Sequence, residues 1–390
     1  PIPPVITVLH QSDVRCGSFP NVKTDDLITG IAGPLIYNFD EFKIVQPAIP
    51  PLTVTAAITP TLPTPFTPAA NQLTVASFNL WNHFDTVDDT GMDAEPKPSE
   101  EEITLKQTKL AYTLGVTLGC PTLVGVQEVE NEALLQALAE ETAAFCNFTY
   151  AVTHHESVDA RGIDVALLSD PRRVAVQSSA LRQGCTPIRT GIVDEGAGCE
   201  NGRSPLFSRP PLQVNLTVDD VPYTLLINHF KSKRGGEAET APRRVAQAQH
   251  VALLVDEWRL DNSGARILVL GDFNDFDRSA AMNVLTGNGR LHNLLQTLPD
   301  DSRYSFVFGG MAQLIDGILV SPAMLGEVAD LAILHVNADY PAALAVDLSP
   351  AALPYRATDH DLPLLLLNLP QPEPEPTPMA ATAQPEATPT

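Results

Sequence analysis

Residues 266–275 read RILVLGDFND. Arg266 to Leu270 is too short for a helix and rich in aliphatic side chains, as in a strand buried on both faces. Gly271 and Asp272 end it, and Asp272 and Asn274, two apart on the loop, can face the same ligand. The same arrangement recurs outward along the chain. Asn79 follows LTVASF, Glu128 follows TLVGVQ and His229 follows TLLIN. Asp316 lies inside LIDGILV, and Asp359 and His360 lie in ATDHDLP before the run Leu362 to Asn368. Each alone has an ordinary reading: a Gly-Asp turn, a structural histidine, a capping asparagine. Asp316 is harder to dismiss, because a carboxylate within an apolar run needs a partner. Taken together, residues able to bind metal or move protons gather at strand ends.

Between these runs, Ser99 with Glu102 is a capping-box pattern before a helix to about Leu118. Asn131 opens a helix to about Ala144, and Ala241 to Trp258 reads as a third. Further strands are read at Asp164 to Leu168 and at Leu212 to Val218. The latter forms a hairpin with Tyr223 to Asn228 across Asp219–Asp220. Hairpins mixed with β–α units predict α/β architecture, two packed mixed sheets flanked by helices.

The 390 residues include 24 Lys+Arg and 47 Asp+Glu, a net charge of −23. That excludes a protein holding DNA by a generally basic surface, so a phosphate site has to be local or metal-assisted. Locally, Lys231, Lys233, Arg234, Arg243 and Arg244 face Glu237 and Glu239, five minus two, or +3, beside His229. Trp81 and Phe84 are stacking candidates near Asn79, with core packing the plainer reading of Phe84. No apolar run approaches the ~20 residues of a membrane span. Of the 35 prolines, 12 lie in residues 1–70 and 7 in 370–390, which marks the boundaries. The expected organisation is the end of an upstream β domain at 1–46, a Pro/Thr-rich linker at 47–70, a catalytic domain at 71–369 and a disordered tail at 370–390. Cys185 and Cys199 flank a Gly-rich loop, where a disulfide would stabilise by about 3 kcal/mol. Cys120 and Cys146 could also pair, leaving Cys16 over. This usage favours an oxidising, extracytoplasmic location, secreted or at the cell surface.

The motifs ASFNLWNHFD (76–85), VGVQEVEN (124–131), RGIDVALL (161–168), NHFKSK (228–233), VLGDFND (269–275), LIDGILVS (314–321) and TDHDLP (358–363) occur in the order found in the endonuclease/exonuclease/phosphatase superfamily. The chain resembles that superfamily over about 71–369. NHFKSK, the RGID segment and SRPPL (208–212) look most like bacterial secreted extracellular nucleases. DDLITGIAGPLIYNFDEFKIVQP (25–47) resembles the junction after their oligonucleotide-binding-like domain.

The resemblance implies a deoxyribonuclease-like four-layer sandwich and metal-dependent hydrolysis of phosphodiesters. A hard divalent cation offsets the anionic charge that repels the attacking water. It implies Mg²⁺, with Mn²⁺ or Ca²⁺ as alternatives, held by Glu128 with Asn79 and Asp359. It assigns Asp272 to the nucleophilic water or a metal, Asn274 to phosphate, and His360 to proton handling with Asp316 as its orienting carboxylate. His229 would donate to the phosphoryl oxygens or the leaving group. Asp164, Arg209 and Lys231 are candidate substrate contacts. The implied substrate is nucleic acid, DNA with RNA also open, and nothing implies a stable protein partner. A phosphatase or phospholipid phosphodiesterase on the same scaffold is the competing reading, because substrate choice lives in the loops. A non-catalytic binding module is disfavoured by competent residues at every core motif position.

Overall fold

The computed structural model describes residues 7–10, 22–38, 41–46, 52–56, 62–88, 96–188, 199–200 and 202–370. Its apolar runs pair into two six-stranded sheets. The first sheet comprises β1 (Gln72–His83), β2 (Leu123–Val129), β3 (Ala151–His154), β4 (Asp164–Ser169), β11 (Val328–Leu334) and β12 (Leu362–Asn368). Their spatial order is β11-β12-β1-β2-β4-β3. The second comprises β5 (Val174–Leu181), β6 (Leu212–Val218), β7 (Val221–His229), β8 (Ile267–Asp272), β9 (His292–Asn293) and β10 (Asp316–Val320). Their order is β5-β6-β7-β8-β10-β9.

Within these sheets β1–β2 and β7–β8 are parallel and the other pairs antiparallel. A parallel pair needs a crossover, and helices supply both. Helix α1 (Glu100–Tyr112) starts at a capping box in which Glu102 N donates to Ser99 Oγ and Ser99 N to Glu102 Oε2. It continues as a π-helical turn, Thr113–Thr117. Helix α2 (Glu132–Thr142), capped by Asn131, packs beside it. Helix α3 (Glu237–Asp261) joins β7 to β8. It begins four residues before the predicted Ala241. Pro242 lies inside the helix, where its missing N–H removes one backbone bond.

Side-chain alternation sets the layers. Leu73 and Val75 on β1, Leu225 and Ile227 on β7, and Leu268 and Leu270 on β8 meet in one buried cluster between the sheets. Ala76 and Phe78 turn the other way onto α1 and α2, and Leu226 and Val269 turn onto α3. The result is the expected four-layer sandwich. The sheets approach closely at Gly125, where a Cβ would lie 2.3 Å from Leu270 Cδ1. Gly125→Ala is therefore expected to destabilise by about 1–3 kcal/mol through overpacking. Denaturant unfolding checks this, and an unchanged midpoint would contradict the contact.

The four edge strands, β3, β5, β9 and β11, were not among those expected from the sequence. The β10 run begins at Asp316 rather than Leu314. Near the N-terminus, Thr7–His10 pairs in parallel with Glu41–Gln46, which pairs with Leu35–Asn38. Thr53–Thr55, inside the Pro/Thr stretch, pairs with Leu27–Thr29. Cys120–Cys146 and Cys185–Cys199 are disulfides. Cys16 and residues 371–390 lie outside the described residues. Among those described, no helix is long and apolar enough to cross a membrane.

Candidate active site

The alternation that fills the space between the sheets also builds the site at its end. On β7 the series Leu225, Ile227 continues to His229; on β8, Leu268, Leu270 continues to Asp272. On β10, Ile318 and Val320 share their face with Asp316, and on β1 Leu73 and Val75 share theirs with Asn79. Polar residues replace aliphatic ones where the seam between the sheets opens. Asn79 Nδ2 donates to Asp272 Oδ2 across that seam (3.3 Å).

Glu128 reaches the site by a different device. Regular alternation would turn its side chain toward the helices. A register shift between Gln127 and Val129 and a left-handed φ of 62° turn it back. Trp81, Asn82 and Asn274 are also left-handed (φ 52°, 56° and 51°). Such backbone costs about 1–3 kcal/mol per residue, so neighbours must hold it. Lys106 Nζ donates to the carbonyls of Trp81 and Asn82. Asn82 N donates to Glu128 Oε2 (2.9 Å), and Arg161 Nη2 donates to Asn82 Oδ1. Arg161 also lies 3.6 Å from Glu128. Burial pushes Lys106 down to about 8 against the pull of Glu128 and Asp359.

Asp272 is the centre of the group. Its Oδ1 accepts from Asn274 N (2.7 Å), and its Oδ2 is 3.6 Å from His229 Nε2 and 3.9 Å from His360 Nε2. Burial pushes its carboxyl up to about 7, although His360 opposes the shift. His229 Nε2 is also 3.7 Å from Glu128 Oε1, too long for a hydrogen bond. Burial, with repulsion from Arg209, Arg161 and His360, keeps the His229 imidazole neutral. His360 is the opposite case. Burial disfavours its charge, but Asp316, Asp272 and Asp359 outweigh that and raise its pKa well above the ordinary value. His360 Nδ1 donates to Asp316 Oδ2 at 2.8 Å, which fixes the ring and leaves Nε2 toward Asp272. Burial, and repulsion from Glu128, raise the pKa of Asp359 against the pull of His360.

Thus Asn79, Glu128, His229, Asp272, Asn274, Asp316 and His360 are brought into one constellation, with Asp359 in its field. Asp164 is not among them: it binds His154 Nε2 (3.0 Å) and the Ser157 N–H (3.1 Å). Arg209 and Lys231 flank the segment leaving His229, where Arg209 Nη2 donates to the Phe230 carbonyl (3.4 Å).

The Endonuclease/Exonuclease/phosphatase family model matches residues 74–339. The chain belongs to the endonuclease/exonuclease/phosphatase family. A humanised D. rerio TDP2 carrying 14 mutations aligns with 77% of this chain and 100% of its own, at 15% identity and a TM-score of 0.50. D. rerio TDP2 complexed with a single-strand DNA product aligns with 76% and 99%, again at 15% identity and 0.50. A family protein from Bacteroides vulgatus aligns with 77% and 99% at 17% identity and 0.49. At these identities the TDP2 structures show the fold alone. No curated protein sequence matches the chain. Membership makes the chain a hydrolase of phosphodiester bonds in a family typically dependent on divalent metal.

The supporting residues were not singled out in the sequence reading. Asn82 and Arg161 lie inside quoted motifs. Lys106 is one lysine in a helix, and nothing in the sequence marked it. Asn337 donates from Nδ2 to the His360 carbonyl (2.8 Å). Asp361 Oδ1 accepts from the N–H groups of Val336, Asn337 and Ala338 (3.1, 2.9 and 2.9 Å). These bonds pin the backbone where it leaves His360. Asp361 was visible within TDHDLP, but its partners lie over twenty residues away.

Proposed function

We propose that this protein is a secreted nuclease that hydrolyses DNA phosphodiesters with a divalent cation, Mg²⁺ first. The observation that carries the reading is the meeting of Glu128, Asp272, His229 and the Asp316–His360 pair at one seam. Glu128 and Asp359 are hard oxygen donors whose carboxylates repel each other, a donor set suited to such a cation. With Asn79 they would hold it, and when bound it would polarise the phosphoryl oxygen and neutralise charge.

The chain's own groups have separable tasks. Asp272, with its raised pKa, is the group placed to take a proton from water. Asn274 Nδ2 donates to Asp272 Oδ2 (3.1 Å) and to the Phe230 carbonyl (3.2 Å), and it reaches a phosphate oxygen by exchanging one of these bonds. Neutral His229 can donate one hydrogen bond without adding charge. His360, held cationic by Asp316, stabilises the developing negative charge and can pass a proton to the leaving oxygen.

A cleft of about 600 Å³ adjoins Asn274 and is lined by Lys233, Arg234, Phe276, Phe306 and Phe308. Phe276 and Phe308 are 46% and 67% exposed. Exposed rings beside cations suit unpaired bases on a phosphate backbone. The single-strand DNA product held by D. rerio TDP2 is in keeping with this substrate. Two disulfides support an oxidising, extracytoplasmic location. Residues 1–46 as the end of an upstream β domain, 47–70 as a linker, 71–369 as the catalytic unit and 370–390 as a tail remain part of this proposal.

Supercoiled plasmid is the test substrate, with Mg²⁺ or EDTA, beside a sphingomyelin assay. Nicking and fragmentation with Mg²⁺, abolished by EDTA, are expected. Intact plasmid with sphingomyelin turnover would replace the nuclease reading with the phospholipid one.

A further inference from the structure

Arg209 and Arg243 lie close to Lys231, in the segment that leaves His229. Arg209 donates from Nη1 to Asp159 Oδ2 (3.1 Å) as well as to the Phe230 carbonyl. Arg243 donates from Nε to the Leu206 carbonyl (2.9 Å). The Lys231 N–H is held by Gln247 Oε1 (2.9 Å), and the Gln247 amide reaches the same Leu206 carbonyl (3.3 Å). Arg209 and Arg243 are only 8% and 6% exposed, and Lys231 is half-buried. Yet Arg209 Nε and Arg243 Nη2 are buried with no hydrogen-bond partner.

The charges are equally incomplete. Burial and then Arg209 push Arg243 down to about 10. Burial, then Arg209 and Arg243, lower Lys231 as well, with Asp159 the carboxylate that opposes this. These cations are therefore near enough to repel one another. Asp159 pairs with Arg209, whereas Arg243 bonds only a backbone carbonyl, and a buried unsatisfied donor or uncompensated charge is costly. A tetrahedral anion beside the cluster would offset the positive charge that Asp159 alone opposes.

We propose that Arg209, Lys231 and Arg243 form a second phosphate subsite beside His229, which grips the phosphodiester next to the one being cleaved. Phosphates recur along a nucleic acid strand, so the subsite selects a polynucleotide over a substrate with one isolated phosphodiester. The proposal rests on the hydrolase reading above and adds to it a requirement for a neighbouring charge.

The test uses short oligothymidylates of one length. In one, the central diester is flanked by phosphodiesters; in the other, by uncharged methylphosphonates. The wild type is expected to cleave the central linkage with kcat/KM about tenfold higher when the neighbours are charged, the scale of a charge-assisted contact. In Arg209→Gln and in Arg243→Gln that ratio should fall to about twofold or less. Each variant serves as its own denominator, so a partial loss of folded protein cancels. Arg209→Lys, which keeps the charge, should retain part of the gain. An undiminished ratio in both Gln variants, or no gain in the wild type, would overturn the subsite. A wild type that cleaves neither oligonucleotide would reject the nuclease reading and the subsite with it.

Discussion

His360→Ala is expected to lower kcat by about 10²–10⁴, the usual weight of a positioned acid–base group. The ring is buried, bonded to Asp316 at 2.8 Å and packed 4.9 Å from Phe306, so its orientation is set before substrate arrives. Removing it also leaves Asp316 a buried carboxylate without its partner, which should reduce stability. Unfolding and kinetics are therefore measured on the same preparation. A folded variant with near-wild-type turnover would reject the role. Asp316→Asn keeps the shape but loses the charge that raises His360, and it should fall in the same direction.

Glu128→Gln is expected to reduce kcat/KM by at least about 10³, since several kcal/mol of charge stabilisation are lost and each 1.36 kcal/mol is tenfold. The substitution keeps an oxygen for the Asn82 N–H, so the left-handed turn need not rearrange. It also removes a carboxylate that repels Asp359. The attraction to Arg161 and Lys106 is lost too, so the variant should stay folded in EDTA with a stability close to wild type, yet gain nothing from Mg²⁺. Wild type should rise in melting temperature with Mg²⁺, because binding to the folded state alone stabilises it. Thermal melts with and without the ion separate the two. An equal Mg²⁺ shift in both proteins would show that Glu128 does not hold the metal.

The strands that carry the site were readable because they are buried on both faces and each ends in a polar residue of distinct chemistry. The Leu212–Val218 and Leu362–Asn368 runs coincide with β6 and β12. The edges were not readable. Val174–Leu181 is mostly exposed and bulges between Val176 and Ser178, and Val328–Leu334 bulges between Val328 and Asp330. An edge strand keeps a polar outer face, so its periodicity fades. Within the site, the residues stood out by their place at strand ends, Glu128 included. The left-handed bulge that aims Glu128 inward was not readable. The clamps made by Lys106, Asn337 and Asp361 depend on contacts between segments distant in sequence, which no local pattern encodes.

Two other His/acid groups compete with the seam for a cation: His335 with Asp339 and Asp361, and His154 with Glu156 and Asp164. Both have internal explanations, since His335 and His154 each bond a carboxylate directly. Anomalous diffraction from crystals soaked in Mn²⁺ decides among the three. A peak about 2.0–2.3 Å from a Glu128 carboxylate oxygen is expected. A peak at either other cluster with none at Glu128 would contradict the assignment of the seam as the metal-dependent phosphodiesterase site.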